Sequence, residues 1–82
     1  MQANDVLEYV RRRPFKPFRI TLTDGKTYKV EHPELAIVGR STVAIGIPAA
    51  NEPVPVYERL VTIDLMHIME AEHLPASTAS SN

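Results

Sequence analysis

Alternating apolar and polar positions dominate the chain after its first seventeen residues and predict a mostly β protein. The first clear run places Phe18, Ile20 and Leu22 between polar residues, which is typical of a strand with one buried face. Asp24-Gly25 follows, and Asp-Gly between two alternating runs is the strongest short-range signal for a hairpin. Because a type I′ turn needs positive φ at both central residues, we expect such a turn here, with Gly25 at positive φ.

The remaining pattern predicts five more strands, separated by proline, glycine and polar residues. These strands are predicted over residues 26–31, 35–38, 42–47, 56–64 and 68–74. A tight turn at residues 65–67 is expected before the last strand. A helix over residues 64–74 is the alternative, because Leu65, Ile68 and Glu72 also fit a helical period.

A short helix is predicted over residues 4–13, ahead of the first strand. Its apolar stripe consists of Ala3, Val6, Leu7 and Val10. Asn4 or Asp5 can cap its N-terminus, and Asp5 with Glu8 has the spacing of a capping box. Pro14 disfavours helical geometry in the residue before it and is expected to end the helix there.

One helix followed by five or six short strands with frequent turns is an order typical of a small barrel. The succession of helix, strand, Asp-Gly hairpin, meander, tight turn and closing strand resembles the Sm-like and SH3-like barrels. We therefore expect a mostly β domain with one N-terminal helix over residues 1–74, folded as a small Sm-like/SH3-like barrel of five to six strands. The small polar residues 75–82 are expected to form a disordered tail.

Composition excludes several classes of function. The 82 residues include no cysteine, which removes disulfides, thiolate zinc sites and cysteine nucleophiles. No apolar run approaches the roughly 18 residues that span a bilayer, and no signal peptide is visible, so we expect a cytoplasmic protein without a membrane partner. Neither a glycine-rich phosphate loop nor a catalytic constellation is present. We therefore expect no enzymatic activity, no cofactor and no metal.

Charge is distributed unevenly along the chain, although the formal net charge is only −1. Residues 1–29 carry seven basic and three acidic side chains, whereas residues 30–82 carry two basic and seven acidic ones. Such a split indicates an anion-binding face, or a surface that pairs with opposite charge within the fold or between subunits.

The basic segment, "RRRPFKPFR" over residues 11–19, contains the candidate binding residues. These are Arg11, Arg12, Arg13, Lys16 and Arg19. A nucleic-acid surface needs cations for the phosphates and aromatic faces for the bases, and Phe15 and Phe18 could supply the latter. The alternative is a joint between helix and sheet, in which the two rings are buried and the arginines complement the helix dipole. A third interpretation is that the same cations bind an acidic protein partner.

The stretch "PFKPFRITLTDGKTYKVEHPELAIVGRSTVAIGIP" (14–48) resembles a family of short uncharacterised bacterial proteins. They share a Pro-Phe-x-Pro-Phe entry, an Asp-Gly hairpin and a His-Pro-Glu after the second strand. Here the matching residues are Pro14, Phe15, Pro17, Phe18, Thr23, Asp24, Gly25, His32, Pro33 and Glu34. The likeness continues more weakly through residues 57–72 and implies no particular activity.

A second stretch, "VAIGIPAANEPVPVYERL" (43–60), is similar to the strand-loop-strand of the carbon storage regulator family of RNA-binding proteins. The matching residues are Val43, Ile45, Gly46, Ile47, Ala49, Glu52, Val54 and Val56. Glu58 takes the place of the arginine that contacts RNA in that family, and Arg59 follows one position later. On a strand, that shift moves the side chain to the other face.

These observations favour a non-enzymatic interaction or adaptor module that binds an unknown protein partner or assembles as a homo-oligomer. The alternative is an RNA-binding Sm-like or carbon-storage-regulator-like protein that uses the basic N-terminal region.

Overall fold

The computed structural model describes residues 1–51 and 56–75, which form one helix and six strands. These elements are α1 (Ala3–Arg11), β1 (Phe18–Leu22), β2 (Thr27–Val30), β3 (Ala36–Val38), β4 (Thr42–Pro48), β5 (Tyr57–Asp64) and β6 (Ile68–His73). Apart from Pro75, the predicted tail lies outside the described residues. Within the two described ranges, no helix is both long and apolar enough to cross a membrane.

The six strands form two antiparallel sheets of three strands, in the orders β2-β1-β6 and β3-β4-β5. The prediction of a mostly β fold with one N-terminal helix is therefore confirmed. Between the described strands, hydrogen-bonded pairing is divided into these two sheets and does not run around a closed barrel. Residues 68–73 form a strand as predicted, and the alternative helix over 64–74 is absent.

Two 3₁₀ turns carry the chain from one sheet to the other. Pro33–Leu35 joins β2 to β3, and Leu65–His67 joins β5 to β6. Each turn buries one leucine, Leu35 in the first and Leu65 in the second. The tight turn predicted at residues 65–67 is confirmed.

The core lies between the inward faces of the two sheets and under α1. The alternating apolar residues of the strands form this core, because every second residue of a strand points to the same face. The buried apolar residues are Val6, Phe18, Ile20, Val30, Leu35, Ala36, Val43, Ile45, Ile63, Leu65 and Ile68. In the described part of the chain no polar or charged side chain is buried, so apolar burial is the main stabilising term.

The helix begins and ends earlier than the predicted span of 4–13. Gln2 is the N-cap, and its backbone N–H donates to the Asp5 carboxylate at 3.0 Å. Asp5 therefore lies at the third helical position, and the predicted caps at Asn4 or Asp5 are wrong. At the other end, Arg12 already has a non-helical backbone (φ −57°, ψ 134°), so the helix stops before the residue next to Pro14.

The Asp-Gly hairpin is confirmed, but the predicted type I′ turn is wrong. The Gly25 N–H donates to the Leu22 carbonyl at 2.9 Å, and the Leu22 N–H donates to the Lys26 carbonyl at 2.8 Å. Gly25 has a positive φ of 92°, whereas the φ of Asp24 is not positive. The hairpin therefore has a three-residue loop, in which a type I turn is followed by a glycine in the left-handed region of φ/ψ space. The Asp24 carboxylate accepts the Lys26 N–H at 2.9 Å and holds the loop.

Replacing Gly25 by valine is expected to destabilise the fold by about 1–2 kcal/mol, because a side chain strains the left-handed region. A Cβ at this position would meet no atom within 4 Å, so the cost is conformational rather than steric. Gly25→Asn is the matched control and should cost less, since asparagine tolerates positive φ. Urea unfolding of both variants gives the comparison. Equal stability of the valine variant and the wild type would contradict this backbone assignment.

Candidate functional site

The two phenylalanines of the basic segment pack inward, at the joint between α1 and β1. Phe18 is 0% exposed, and half-buried Phe15 meets it edge-on with ring centroids 6.1 Å apart. Tyr9 of the helix packs on the other side of Phe18 at 4.9 Å. The rings therefore form an aromatic cluster that attaches the helix to the sheet, as the joint interpretation of the sequence expects.

Tyr9 also fixes the helix to the last strand. Its hydroxyl donates to the Ala71 carbonyl at 2.9 Å, and its ring lies 4.9 Å from the His73 ring. At the start of the helix, the Met1 ammonium donates to the Leu65 carbonyl at 3.2 Å. Both ends of α1 are thus bound to the C-terminal part of the fold, with Val6 buried between them.

Two of the five candidate cations are engaged within the fold. Arg19 and Glu72 lie directly opposite each other on β1 and β6 and form an ion pair. The Arg13 guanidinium donates to the carbonyls of Val10 and Arg12, both at 2.8 Å. These carbonyls belong to the end of the helix, where cationic side chains cap unsatisfied oxygens.

The other three candidates, Arg11, Arg12 and Lys16, are exposed. Within residues 1–51 and 56–75, no ion pair occupies their charges. The nucleic-acid interpretation requires five cations beside two stacking rings. The structure instead gives three available cations beside rings that are turned into the core.

A second surface, the outer apolar patch, lies on the solvent side of the β3-β4-β5 sheet. It consists of Ile37, Ala44, Tyr57 and Leu60. Ile37 pairs with Ala44, and Leu60 pairs with Gly46 two residues further along β4, so the side chains share one face. Ile37 is 65% exposed and Leu60 is 60% exposed.

Tyr57 lies at the end of this patch, where it pairs with Pro48 of β4. A Cβ at Gly46 would lie 2.8 Å from the Tyr57 ring, so glycine allows the ring to rest directly on the backbone of β4. The Tyr57 hydroxyl donates to the Glu34 carbonyl at 3.2 Å. The ring therefore connects the start of β5 to the turn before β3.

Acidic side chains adjoin the outer apolar patch. Asp64 is exposed and lies on the same face of β5 as Leu60, because the two positions are separated by an even number of residues. Glu58 is exposed at the bulge between Leu60 and Tyr57. The patch thus has negative charge beside its apolar contact area, whereas the exposed cations of Arg11 and Arg12 lie at the C-terminal end of α1.

A groove of about 500 Å³ opens between the β1–β2 hairpin and β5. Leu22, Tyr28, Val61 and Ile63 contribute its apolar lining, and the pair formed by His67 and Asp64 (3.9 Å) lies at its side. Among the residues described, no three acidic or histidine side chains are arranged to bind a metal ion.

Comparisons with known proteins provide no relative: no family model, curated protein or solved structure matches the chain.

The outer apolar patch was not predicted, although its signal is present in the sequence. Leu60 and Val61 are adjacent, so they interrupt the alternation of the strand and point to opposite faces. Ile37 likewise stands between two inward-facing residues in the run Ala36-Ile37-Val38. Apolar residues on both faces of an edge strand indicate a surface that a partner can cover.

Phe18→Ala is expected to cost about 3–5 kcal/mol, because the ring is fully buried and its removal leaves a cavity. Phe15→Ala is the matched control and should cost less, since its half-buried ring keeps contact with water. Urea unfolding of both variants gives the difference. Equal losses would show that the two rings contribute alike and would contradict the central position of Phe18.

Gly46→Ala is expected to destabilise the fold by about 1–3 kcal/mol, because the new methyl group overlaps the Tyr57 ring. In a strand, replacing glycine by alanine normally increases stability, so a loss of stability here would indicate that the new methyl group overlaps the Tyr57 ring. In a Tyr57→Ala background the same change should cost less or become favourable. A double-mutant cycle in urea measures this coupling, and simple additivity would exclude the contact.

Proposed function

We propose that this protein is a non-catalytic binding module that engages a polypeptide partner through the outer apolar patch. The observation that carries the proposal is the pair of large apolar side chains, Ile37 and Leu60, exposed on one face of a sheet whose other face forms the core. Grouped apolar exposure of this kind is typical of interaction sites.

Charge suggests the chemistry of the partner. Glu58 and Asp64 flank Leu60 along β5, so a complementary segment presents apolar side chains with basic residues beside them. Tyr57 supplies a ring already held by its contacts with Gly46 and Glu34, which limits the conformational entropy lost on binding.

The strand order supports the same proposal. Antiparallel strands with a 3₁₀ turn before the closing strand resemble the Sm-like and SH3-like barrels, folds that serve many unrelated binding functions. We retain that barrel assignment, and a single domain over residues 1–74, as parts of the proposal. A cytoplasmic location is the corresponding expectation.

The proposed binding mode is tested first by affinity capture from nuclease-treated lysate, followed by purification of the captured protein. Calorimetry with the purified pair should then show that Ile37→Arg weakens binding at least tenfold, as expected for an apolar anchor. The matched control is Arg11→Gln/Arg12→Gln/Lys16→Gln, which should bind like the wild type. The opposite pattern would assign binding to the basic segment.

RNA binding is a second candidate, favoured by the exposed cations of Arg11, Arg12 and Lys16. Contacts from all three to single-stranded RNA predict a log–log salt slope of about −2, from roughly 0.7 per phosphate. Fluorescence anisotropy with labelled single-stranded RNA of random sequence measures this slope. Salt-dependent binding that the triple Gln variant loses, with its melting temperature intact, would favour this candidate and its Sm-like or carbon-storage-regulator-like interpretation.

A further inference from the structure

The outer face of the β3-β4-β5 sheet consists of rows of paired residues that cross its strands. Ala44 pairs with Ile37 of β3 on one side and with Thr62 of β5 on the other, so these three residues form one row. The register shift between β4 and β5 lies further along, at Ile47/Pro48, so the row belongs to the regular part of the ladder. Its side chains therefore point to the same face of the sheet.

Ala44 forms the floor of a shallow socket in this face. Its small, half-buried side chain lies beside that of Ile37, which is strongly exposed. In the next row Leu60, also strongly exposed, lies opposite Gly46, and the Tyr57 ring rests on that glycine. Larger apolar side chains therefore surround a small one, and the Ala44 socket has apolar walls on its β3 side and at its Tyr57 end.

A carboxylate lies at the other end of the Ala44 socket. Asp64 pairs with Thr42, and this row lies about 6.8 Å along the strands from the row of Ala44. Asp64 is exposed, and its one ion-pair contact within residues 1–51 and 56–75 is with His67 at 3.9 Å. Arg40 lines the same surface hollow as Asp64, but in these ranges no ion pair joins the two. The Asp64 carboxylate is therefore accessible to a cation of a partner.

The width of the sheet face decides which conformation of a partner reaches the Ala44 socket. Strands β3 and β5 lie on either side of β4, so they are about 9.5 Å apart. An α-helix with its side chains is about 10–12 Å across, so it would rest on top of Ile37 and Leu60 instead of lying between them. A single extended chain is narrow enough to lie along β4 and to direct one side chain onto Ala44.

Charge favours a basic partner at this face. Glu34 and Glu58 are exposed at the Tyr57 end of the outer apolar patch, Glu34 through a carbonyl bonded to the Tyr57 hydroxyl and Glu58 as the next residue in sequence. The Tyr57 ring separates both glutamates from the Ala44 socket. Asp64, one row from the socket, is therefore the carboxylate that a cation close to the inserted side chain meets.

We propose that the outer apolar patch binds an extended polypeptide segment that inserts one large apolar side chain over Ala44 and places a lysine or arginine against Asp64. This inference rests on the proposed function, because it specifies the partner of the same patch. Residues two apart in an extended chain point to the same face and are about 6.8 Å apart, which matches the spacing of the two rows. One residue therefore separates the apolar and the basic residue, and either order satisfies this spacing because the segment can run in either direction along β4.

A phage-displayed library of random dodecapeptides, selected on the full chain, tests this pattern. Enriched peptides should contain a large apolar residue and a lysine or arginine with one residue between them. Enrichment of pairs separated by three residues would indicate a helical partner, because that is the spacing of one helix face. That result, or enrichment of peptides without a basic residue, would overturn the inference.

Fluorescence anisotropy with a synthetic selected peptide then locates the inserted side chain. Ala44→Leu fills the socket and should weaken binding about tenfold or more, without lowering the melting temperature. The matched control is Thr21→Leu, which adds a similar side chain to the outer face of the other sheet, opposite Thr27, and should bind like the wild type. Undiminished binding by Ala44→Leu would overturn the inference.

The contact with Asp64 is tested by a double-mutant cycle. Asp64→Asn should weaken binding about two- to fivefold, as expected for an exposed ion pair. Replacing the basic residue of the peptide by glutamine should cause a similar loss with the wild type and little further loss with Asp64→Asn. Glu70→Gln removes an equal charge from the outer face of the other sheet and should bind like the wild type. Additive losses would show that the two charges do not meet and would overturn this contact.

Ile37→Arg separates failure of this inference from failure of the proposed function. A selection that enriches no peptide, or only peptides that bind Ile37→Arg as well as the wild type, would overturn both. Peptides that Ile37→Arg weakens and Ala44→Leu does not would retain the outer apolar patch as the binding surface and overturn only the socket. Light scattering tests the other occupant: a wild-type dimer that Ala44→Leu converts to a monomer would assign the patch to a second copy and overturn the inference.

Discussion

Burial of the Phe18 ring is the contact on which the rest of this small fold depends. Phe18 begins the central strand of its sheet and lies opposite Val30 on one neighbour and His73 on the other. Tyr9 and Phe15 then enclose its ring from the helix and the connecting segment. One side chain thus joins the N-terminal helix, the hairpin and the C-terminal strand. In a chain of 82 residues with no cysteine, no disulfide can join such distant segments, so buried contacts of this kind have to hold them together.

This aromatic cluster also determines how the basic segment can be used. Because the rings turn inward, the segment presents cations without stacking surfaces, and Arg13 and Arg19 are already engaged by the helix end and Glu72. Exposed apolar area lies instead on the β3-β4-β5 sheet, beside acidic residues. The uneven charge along the sequence therefore corresponds to two surfaces of different chemistry.

Sequence patterns located the strands well because alternation and turn residues are local signals. The last strand and the turn before it were expected within one or two residues, and the hairpin at Asp24-Gly25 was expected correctly. Two local details were missed. Asp5 lies at the third helical position, where its carboxylate accepts a hydrogen bond from the backbone N–H of Gln2. An aspartate near the start of a helix can be either the N-cap or this third residue, and the sequence alone did not distinguish the two. The hairpin loop has one more residue than a type I′ turn, and Asp-Gly is compatible with both.

The candidate site was harder to predict, because its geometry depends on contacts between distant residues. Nothing local indicates that Arg19 meets Glu72, which lies 53 positions later. Likewise, exposure of Leu60 follows from the register of β4 with β5, and the sequence shows only an interrupted alternation. Arg13 is the exception, since its partners lie within three residues and a C-terminal capping role was accessible from sequence.

The two 3₁₀ turns bear on how this fold can change in length. Each joins one sheet to the other in three residues and inserts a leucine, Leu35 or Leu65, into the core. An extra residue in either turn would move that leucine out of its place and rotate one sheet relative to the other. The second turn is held further by both neighbouring hairpins, because the Leu65 N–H donates to the Ser41 carbonyl at 2.9 Å and the Thr23 N–H donates to the His67 carbonyl at 2.9 Å. Among proteins that share this architecture, the lengths of the two corners should vary least.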